Sequence, residues 1–460
     1  MGMDDHEFRL LTIPPPIHPE DPDSPLPETI LIDSFGYLSD RTNATTANGR
    51  RSRTKKKGKR ILVTFWPAAP PRVSCFTVHC PDLKPDAYGS IPKVCYTEDG
   101  LALLCIIICP ERQDTYPKNI RHFVYQAGTK NTPPSVKLVH SPPDFTFFDH
   151  EVALLRRRDQ DMFFIAVLRW AFVESEFTDG HFNLHLYSSK TKTCHKIWIK
   201  CFACTSRHPR SRKDGAWGVG NGSGVGWAGS QANTALRFVR QMSCARGGLP
   251  FGLVRPGRTR FFSLSVRNIV VLQGYIKYFE MHNNVRPSSY TGSSPILEGW
   301  IAATKKIKIS SIGSGSNWEE DCTIRCCDDV PVDNPVYAQM LPNPQEGDDT
   351  KPNLKKICVG YPALSLHDGD VVYLMHTLDP RQVKACVIAL DMRNKTVKGV
   401  ANFGSGRRLG YHFTYLESGI SKHLGILSPT RMVNIVSAFI LLAFTFPSKN
   451  SALAAPCYHI

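Results

Sequence analysis

The chain has 460 residues, 42% of them apolar, and 56 Lys and Arg against 40 Asp and Glu give a net charge of +16. That length is too great for one compact core unless the core is built by repetition. Thirty-four prolines and 33 glycines fit many short strands joined by loops, and no long heptad or 3.6-residue period competes with that reading.

Residues 1–28 are Pro-rich and acidic (Pro14, Pro15, Pro16, Asp21, Asp23, Glu28), which predicts a disordered leader. The N-terminus has neither a basic n-region nor an apolar h-region, so no secretory signal is expected. His6 stands where a myristoylation signal needs Ser or Thr. The 15 cysteines are then expected as thiols in a reducing compartment, and the sequons at Asn43, Asn221 and Asn394 as unmodified. Leu26-Pro-Glu-Thr-Ile-Leu31 resembles the opening of an F-box, but strand-forming residues follow it instead of helices, so no F-box is predicted.

Structure is predicted to start at Ile30-Leu-Ile-Asp33. A basic loop, 48–60, follows, and Arg50, Arg51, Arg53, Lys55, Lys56, Lys57, Lys59 and Arg60 within it supply half of the net charge. Ile61-Leu-Val-Thr-Phe65 and Ser74-Cys-Phe-Thr-Val-His79 alternate as strands do. Residues 101–109 form a continuous apolar run, the mark of a buried central strand. Strands at 121–125 and 136–139 flank a long turn.

The next stretch is written twice. Residues 161–168 and 182–187, then a polar turn at 188–192 and a strand at 193–200, make one unit; 370–375, 385–391, a turn through 393–396 and 397–401 make another. Apolar strand, loop, strand, tight polar turn and strand in a unit of roughly 40 residues is how a propeller blade looks in sequence. Between the copies, 207–268 is an atypical Gly/Arg-rich insert with no Asp or Glu from Gly215 to Phe279. Strands return at 268–272 and 275–279, joined by a two-residue Gln273-Gly274 turn; weaker strand signals follow at 307–309 and 324. After 423 a tail contains a fifteen-residue apolar segment, 432–446, closed by Pro447 and short of the roughly 20 residues that span a bilayer. The reading is all-β: a β-propeller-like repeat of antiparallel blades over 29–423, with 1–28 a leader and 424–460 an irregular tail.

Several of these stretches resemble a plant family, domain of unknown function 1618, best populated in grasses. They include Arg41-Thr-Asn-Ala-Thr-Thr-Ala47, Phe76-Thr-Val-His-Cys-Pro81, Leu184-His-Leu-Tyr-Ser-Ser189 and Tyr275-Ile-Lys-Tyr-Phe-Glu280. Trp318-Glu-Glu-Asp-Cys322, Leu364-Ser-Leu-His-Asp-Gly-Asp370 and Val387-Ile-Ala-Leu-Asp-Met-Arg-Asn-Lys-Thr396 carry it furthest. The resemblance covers about 29–205 and 265–423. It implies a propeller-like fold akin to F-box-associated domains, with no established catalytic residues. Where the family has an acidic, Trp-containing stretch, this chain has the Gly/Arg segment, so either a flexible insert has replaced a blade or the translated gene is misassembled there.

The basic run suits either a nuclear-localisation signal or a phosphate-contacting arm; the plainer alternative is a solvated loop tip. Cys194, His195, Cys201, Cys204 and His208 are ligand types that zinc accepts, but no second Cys-x-x-Cys closes the set. These thiols are read as buried or incidental, as are Cys322, Cys326 and Cys327. Gly218-Val-Gly-Asn-Gly-Ser-Gly224 lacks the Lys-Ser/Thr ending of a phosphate loop. No His-Glu-x-x-His or Gly-x-Ser-x-Gly is present. The chain therefore reads as a non-enzymatic protein-interaction module, cytosolic or nuclear, with no cofactor, no metal and no membrane partner. Trp66, Trp170 and Trp318, read as loop-borne, are its candidate contact aromatics. A nucleic-acid-associated protein using the 50–60 arm, or a hydrolase or lyase with a propeller-centred acid–base cluster, are the alternatives.

Overall fold

The apolar runs become strands buried on both faces. In the computed structural model the described residues are 9–16, 27–51, 60–108, 120–129, 131–140, 147, 151–157, 162–173, 176–200, 266–286, 296–311, 318–325, 330, 332, 334–341, 354, 357, 359–376, 385–403 and 414–424. Their strands are β1 (Ile30–Asp33), β2 (Tyr37–Leu38), β3 (Ala47–Arg50), β4 (Arg60–Trp66), β5 (Val73–His79), β6 (Lys93–Glu98), β7 (Leu101–Ile107), β8 (Ile120–Gln126) and β9 (Ser135–Leu138). Next come β10 (Val152–Arg157), β11 (Met162–Val173), β12 (Glu176–Ser188) and β13 (Cys194–Lys200). After these stand β14 (Arg267–Leu272), β15 (Tyr275–Arg286), β16 (Ile296–Lys308) and β17 (Glu319–Arg325). A short helix α1 (Pro335–Met340) leads to β18 (Val359–Leu364), β19 (Val371–His376), β20 (Ala385–Asp391), β21 (Thr396–Phe403), β22 (Tyr415–Ser418) and a single turn, α2 (Ser421–Leu424).

The sheets are blades. β10–β13, β14–β17 and β18–β21 are each four-stranded antiparallel meanders, here blades 3, 4 and 5. Blade 2 is the meander β6–β9, and blade 1 runs β22-β1-β5-β4-β3; the two are bridged where β3 meets β9 at Asn48 and Ser135. First strands of neighbouring blades meet, β10 against β6 and β18 against both β14 and β22. The fold is therefore all-β and propeller-like, as the doubled unit predicts.

Each core is a layer between two blades. Phe65, Phe76 and Val78 pack on Leu104, Phe123 and Tyr125 between blades 1 and 2. Leu103 and Val124 pack on Leu154 and Ile165 between blades 2 and 3. Phe279 and Trp300 pack on Leu374 and Ile388 between blades 4 and 5, and Leu31 and Val73 pack on Tyr373 and Val387 between blades 5 and 1. Strand alternation divides the labour: Ala385, Val387 and Ala389 face one layer while Cys386, Ile388 and Leu390 face the other. A strand sandwiched in this way has no polar face, so it reads as a continuous apolar run.

Blade 1 is completed by a strand from much later in the chain. β22 pairs antiparallel with β1, from Ile30 opposite Ser418 to Asp33 opposite Tyr415. Leu10 and Leu11 are buried in the blade 1–2 core beside Ile420 and Leu424. Within the expected leader, Leu10 and Leu11 lie in a short helical turn and are the side chains that pack. Ile30 and Leu31 are strand residues, and no F-box helix begins there.

Two glycines are required by geometry. A Cβ on Gly49 would lie 2.1 Å from the Val136 carbonyl oxygen, so only glycine lets β3 approach β9. Gly49→Ala is expected to push the two strands apart and lower the thermal midpoint by several degrees, which a melting curve reads. At the β14–β15 turn, Gln273 and Gly274 have φ of 51° and 82°, and Leu272 pairs directly with Tyr275, the two-residue hairpin that the dipeptide predicts.

Expected and observed boundaries differ most in blades 3 and 5. The loop expected after Leu168 is largely strand, since β11 and β12 stay paired out to Val173 and Glu176. Both copies also begin one strand earlier than the repeat suggests, with β10 and β18. The apolar tail segment 432–446 lies outside the described residues; among these no helix is long and apolar enough to cross a membrane.

Candidate functional site

Strand alternation puts Lys277 of β15 on the same face as Phe279 and Met281, directed into the blade 4–5 layer. A lysine there must find anions, because burying an unpaired ammonium costs several kcal/mol. It finds two. Its Nζ lies 2.7 Å from Asp321 Oδ2 and 3.5 Å from Asp370 Oδ1, and it also donates to the Gly369 carbonyl. Asp321, on edge strand β17, is further met by Lys306 Nζ at 3.1 Å and Arg393 Nη2 at 3.4 Å. Arg393 grips Asp370 with two bonds, Nε to Oδ2 at 2.6 Å and Nη2 to Oδ1 at 3.0 Å.

Blade 4 thus contributes Lys277, Lys306 and Asp321, and blade 5 contributes Asp370 and Arg393. The turn bearing Arg393 is itself fixed by Asp391, whose Oδ1 accepts from the Arg393 and Asn394 amides at 3.0 and 2.8 Å. This is the side-chain cap that a tight Asp-x-x-Asn turn needs. Four motifs of the family resemblance, those at 275–280, 318–322, 364–370 and 387–396, therefore each send one charged side chain to a single place.

The electrostatics hold the two carboxyls, Asp321 and Asp370, in their ionised forms. Burial alone would raise the Asp321 carboxyl, but hydrogen bonds and charge from Lys277 and Lys306 outweigh it and hold the group below its ordinary value. The Arg393 bond holds Asp370 down against its burial, and Asp370 in turn holds the Arg393 guanidinium up. Asp321, Cys322 and Asp370 place three potential metal donors within 4.8 Å of one another. The cation between the two carboxylates, however, is the Lys277 ammonium, with Lys306 and Arg393 beside it. A metal ion would have to displace three positive charges, so the donor set does not fit one. Cys322 is buried in the blade 4–5 core, which raises its thiol.

A second feature is a cleft of about 370 Å³ on the seam between blades 5 and 1, lined among others by Glu28, Pro70, Ser365, His367 and Tyr373. At its rim His367 Nδ1 lies 3.0 Å and Lys422 Nζ 3.4 Å from Glu28 Oε2. Glu417 is the outlier in charge. Burial pushes its carboxyl up to about 8, against the Leu366 amide and neighbouring hydroxyls, which favour the anion.

The basic run occupies the end of the β3–β4 hairpin. Arg50 and Arg60 are exposed and cross-strand partners, whereas Arg51 is largely buried on Asp82 and so is not part of a free arm. Arg53, Lys55, Lys56, Lys57 and Lys59 lie outside the described residues. Cys194 packs at the edge of the blade 2–3 core, while His195, next in the strand, bonds Thr193 on the opposite face. The other members of that set (Cys201, Cys204 and His208), Cys326, Cys327 and the glycine stretch 218–224 lie outside the described residues.

Two of the candidate aromatics are strand residues, not loop residues: Trp66 ends β4 and Trp170 lies in β11. Trp66 is half-buried, donates to Thr77 Oγ1 at 3.2 Å and carries the Arg41 guanidinium 4.6 Å above its ring. Trp318 is half-buried, edge-on to Tyr278 at 6.1 Å.

The ion cluster is what sequence reasoning missed. Its signal was present in Tyr275-Ile-Lys-Tyr-Phe279, where alternation assigns a lysine to the apolar face.

No curated protein matches the chain. A family model does, over residues 233–373, a stretch that starts inside the Gly/Arg-rich segment and takes in Lys277, Lys306, Asp321 and Asp370. The match overlaps the resemblance over 265–373 and falls short of Arg393. Residues 233–373 carry the signature of DUF1618, a family described as a protein of unknown function, and this is the family that the motifs resemble.

Proposed function

We propose that the chain is a non-enzymatic protein-interaction module: a propeller-like scaffold whose loops and blade edges present a binding face, in the cytosol or nucleus of a plant cell. One observation carries this reading. The charged cluster brought together among the described residues, Lys277, Lys306 and Arg393 with Asp321 and Asp370, is paired within itself between blades 4 and 5. A general acid or base works best with a pKa near the working pH, and Asp321 and Asp370 are held away from it by their cations. Those charges suit a clamp, not proton transfer.

The runner-up, association with nucleic acid, draws on Arg50 and Arg60, exposed at the hairpin end that carries the basic run. The two readings part in a pull-down from native extract, with and without nuclease, using the full chain and a variant with the 50–60 run neutralised. A protein set retained under both treatments supports the interaction module. Loss of capture under either treatment overturns it and favours the arm, whose binding should also fall steeply with salt.

A further inference from the structure

β22 completes blade 1, and Glu417 projects from it into the seam between blades 1 and 5. Its Oε1 accepts from the Leu366 amide at 2.7 Å, which ties β22 to the turn ahead of β19. Its Oε2 is buried with no partner at hydrogen-bonding geometry, and the hydroxyl of Tyr415, two residues away on the same face of β22, is buried in the same condition.

The groups around this carboxyl are mostly neutral or acidic. Tyr373 faces it from β19, and Cys386 faces Tyr415 from β20. His367 and Asp368 stand on the β18–β19 turn with Ser365, Glu28 stands on the N-terminal segment with Thr29, and Lys422 on α2 is the nearby cation. Lys422 is already engaged with Glu28, and among the described residues no ion pair reaches Glu417. A buried carboxylate so placed has the Leu366 amide, the neighbouring hydroxyls and the charge of Lys422 to set against its burial, and burial outweighs them.

We propose that Glu417 is a proton-operated latch on the seam between blades 1 and 5: neutral, it is tolerated in that seam with Leu366 bonded to it; ionised, the cost of burying its charge outweighs the stronger Leu366 bond and loosens the seam. The proton is exchanged with solvent. Burial raises the carboxyl to about 8 in the folded chain from the ordinary 4.5. The stability it contributes is thus complete below the unfolded value and is lost as pH rises through the folded one. The consequence is local, because β22, β1 and the cleft at Glu28 and His367 share the seam.

The test follows amide exchange of β1 and β22 between pH 6 and 8.5, corrected for intrinsic exchange, together with the infrared band of a protonated carboxyl. Wild type should lose roughly tenfold or more of its protection in these strands, while Glu417→Gln, which keeps an acceptor for Leu366, stays flat. A protonated-carboxyl band at pH 6 should vanish in the variant. Parallel exchange profiles, or the absence of that band from wild type, would overturn the latch. Glu417→Leu serves as the second non-titrating variant should the glutamine protein fail to fold.

Discussion

Asp321→Leu is expected to destabilise the protein by about 3–5 kcal/mol, the usual cost of removing one partner from a buried ion pair. The Asp321 side chain is 4% exposed and Lys277 7%, so the lysine left behind has, among the described residues, only Asp370 at 3.5 Å as a close anion. The reverse change should be milder. Lys277→Met leaves Asp321 still held by Lys306 at 3.1 Å and Arg393 at 3.4 Å, and the methionine fits the apolar face beside Phe279. Arg393→Ala should be the mildest of the three, because that side chain is half exposed and screened. Urea denaturation of the three variants gives the order directly. The pH dependence has a definite sign here too. Asp321 and Asp370 are depressed, so the stability they contribute is present above the ordinary carboxylate value and is lost as pH falls through their folded values. Glu417 acts in the opposite sense. Stability should accordingly peak on the acidic side of neutrality.

The second large effect belongs to the completion of blade 1. Ile420 is fully buried in the blade 1–2 core with Leu10, Leu11 and Leu424, and its amide bonds the Ser418 hydroxyl. Ile420→Ala should cost about 2–5 kcal/mol, as core truncations to alanine do. Ending the chain before Tyr415 should be worse, since it removes the antiparallel partner of β1, the Ser421 bond to the Glu28 carbonyl and the His423–Asp99 contact at 2.7 Å in one cut. The expected outcome is a chain that no longer melts cooperatively, read by near-ultraviolet circular dichroism. A cooperative transition in that truncated chain would show that the fold does not depend on β22.

The blades were legible where the local chemistry agreed with the tertiary structure. The Gln273-Gly274 hairpin and the Arg393–Thr396 turn need backbone that those residues supply, and the apolar runs of β7, β19 and β20 are long enough to stand out. β18 was hidden because Gly360 and Pro362 interrupt it; its pairing is irregular between Gly360 and Ala363, and Tyr361 sits at φ 49° in that bulge. β22, four residues long, acquires meaning only from β1 nearly four hundred residues earlier. The ion cluster was hidden for the same reason. Lys277, Asp321, Asp370 and Arg393 belong to separate strands and turns, and only the packing of blade 4 on blade 5 makes them neighbours. Leu10 and Leu11 were masked by the prolines around them, which fit a leader until the strand completing blade 1 offers a place to pack.

The central claim is that the charged motifs hold the scaffold together and are not themselves the working site. The direct test is a Lys277→Met/Asp321→Leu double variant, which replaces a buried pair with apolar groups and should recover most of the stability lost in Asp321→Leu alone. Partner capture from native extract is then measured at matched amounts of folded protein. The account predicts the same captured set as wild type. A double variant that folds cooperatively but captures nothing would contradict it, and would make the blade 4–5 cluster the functional site.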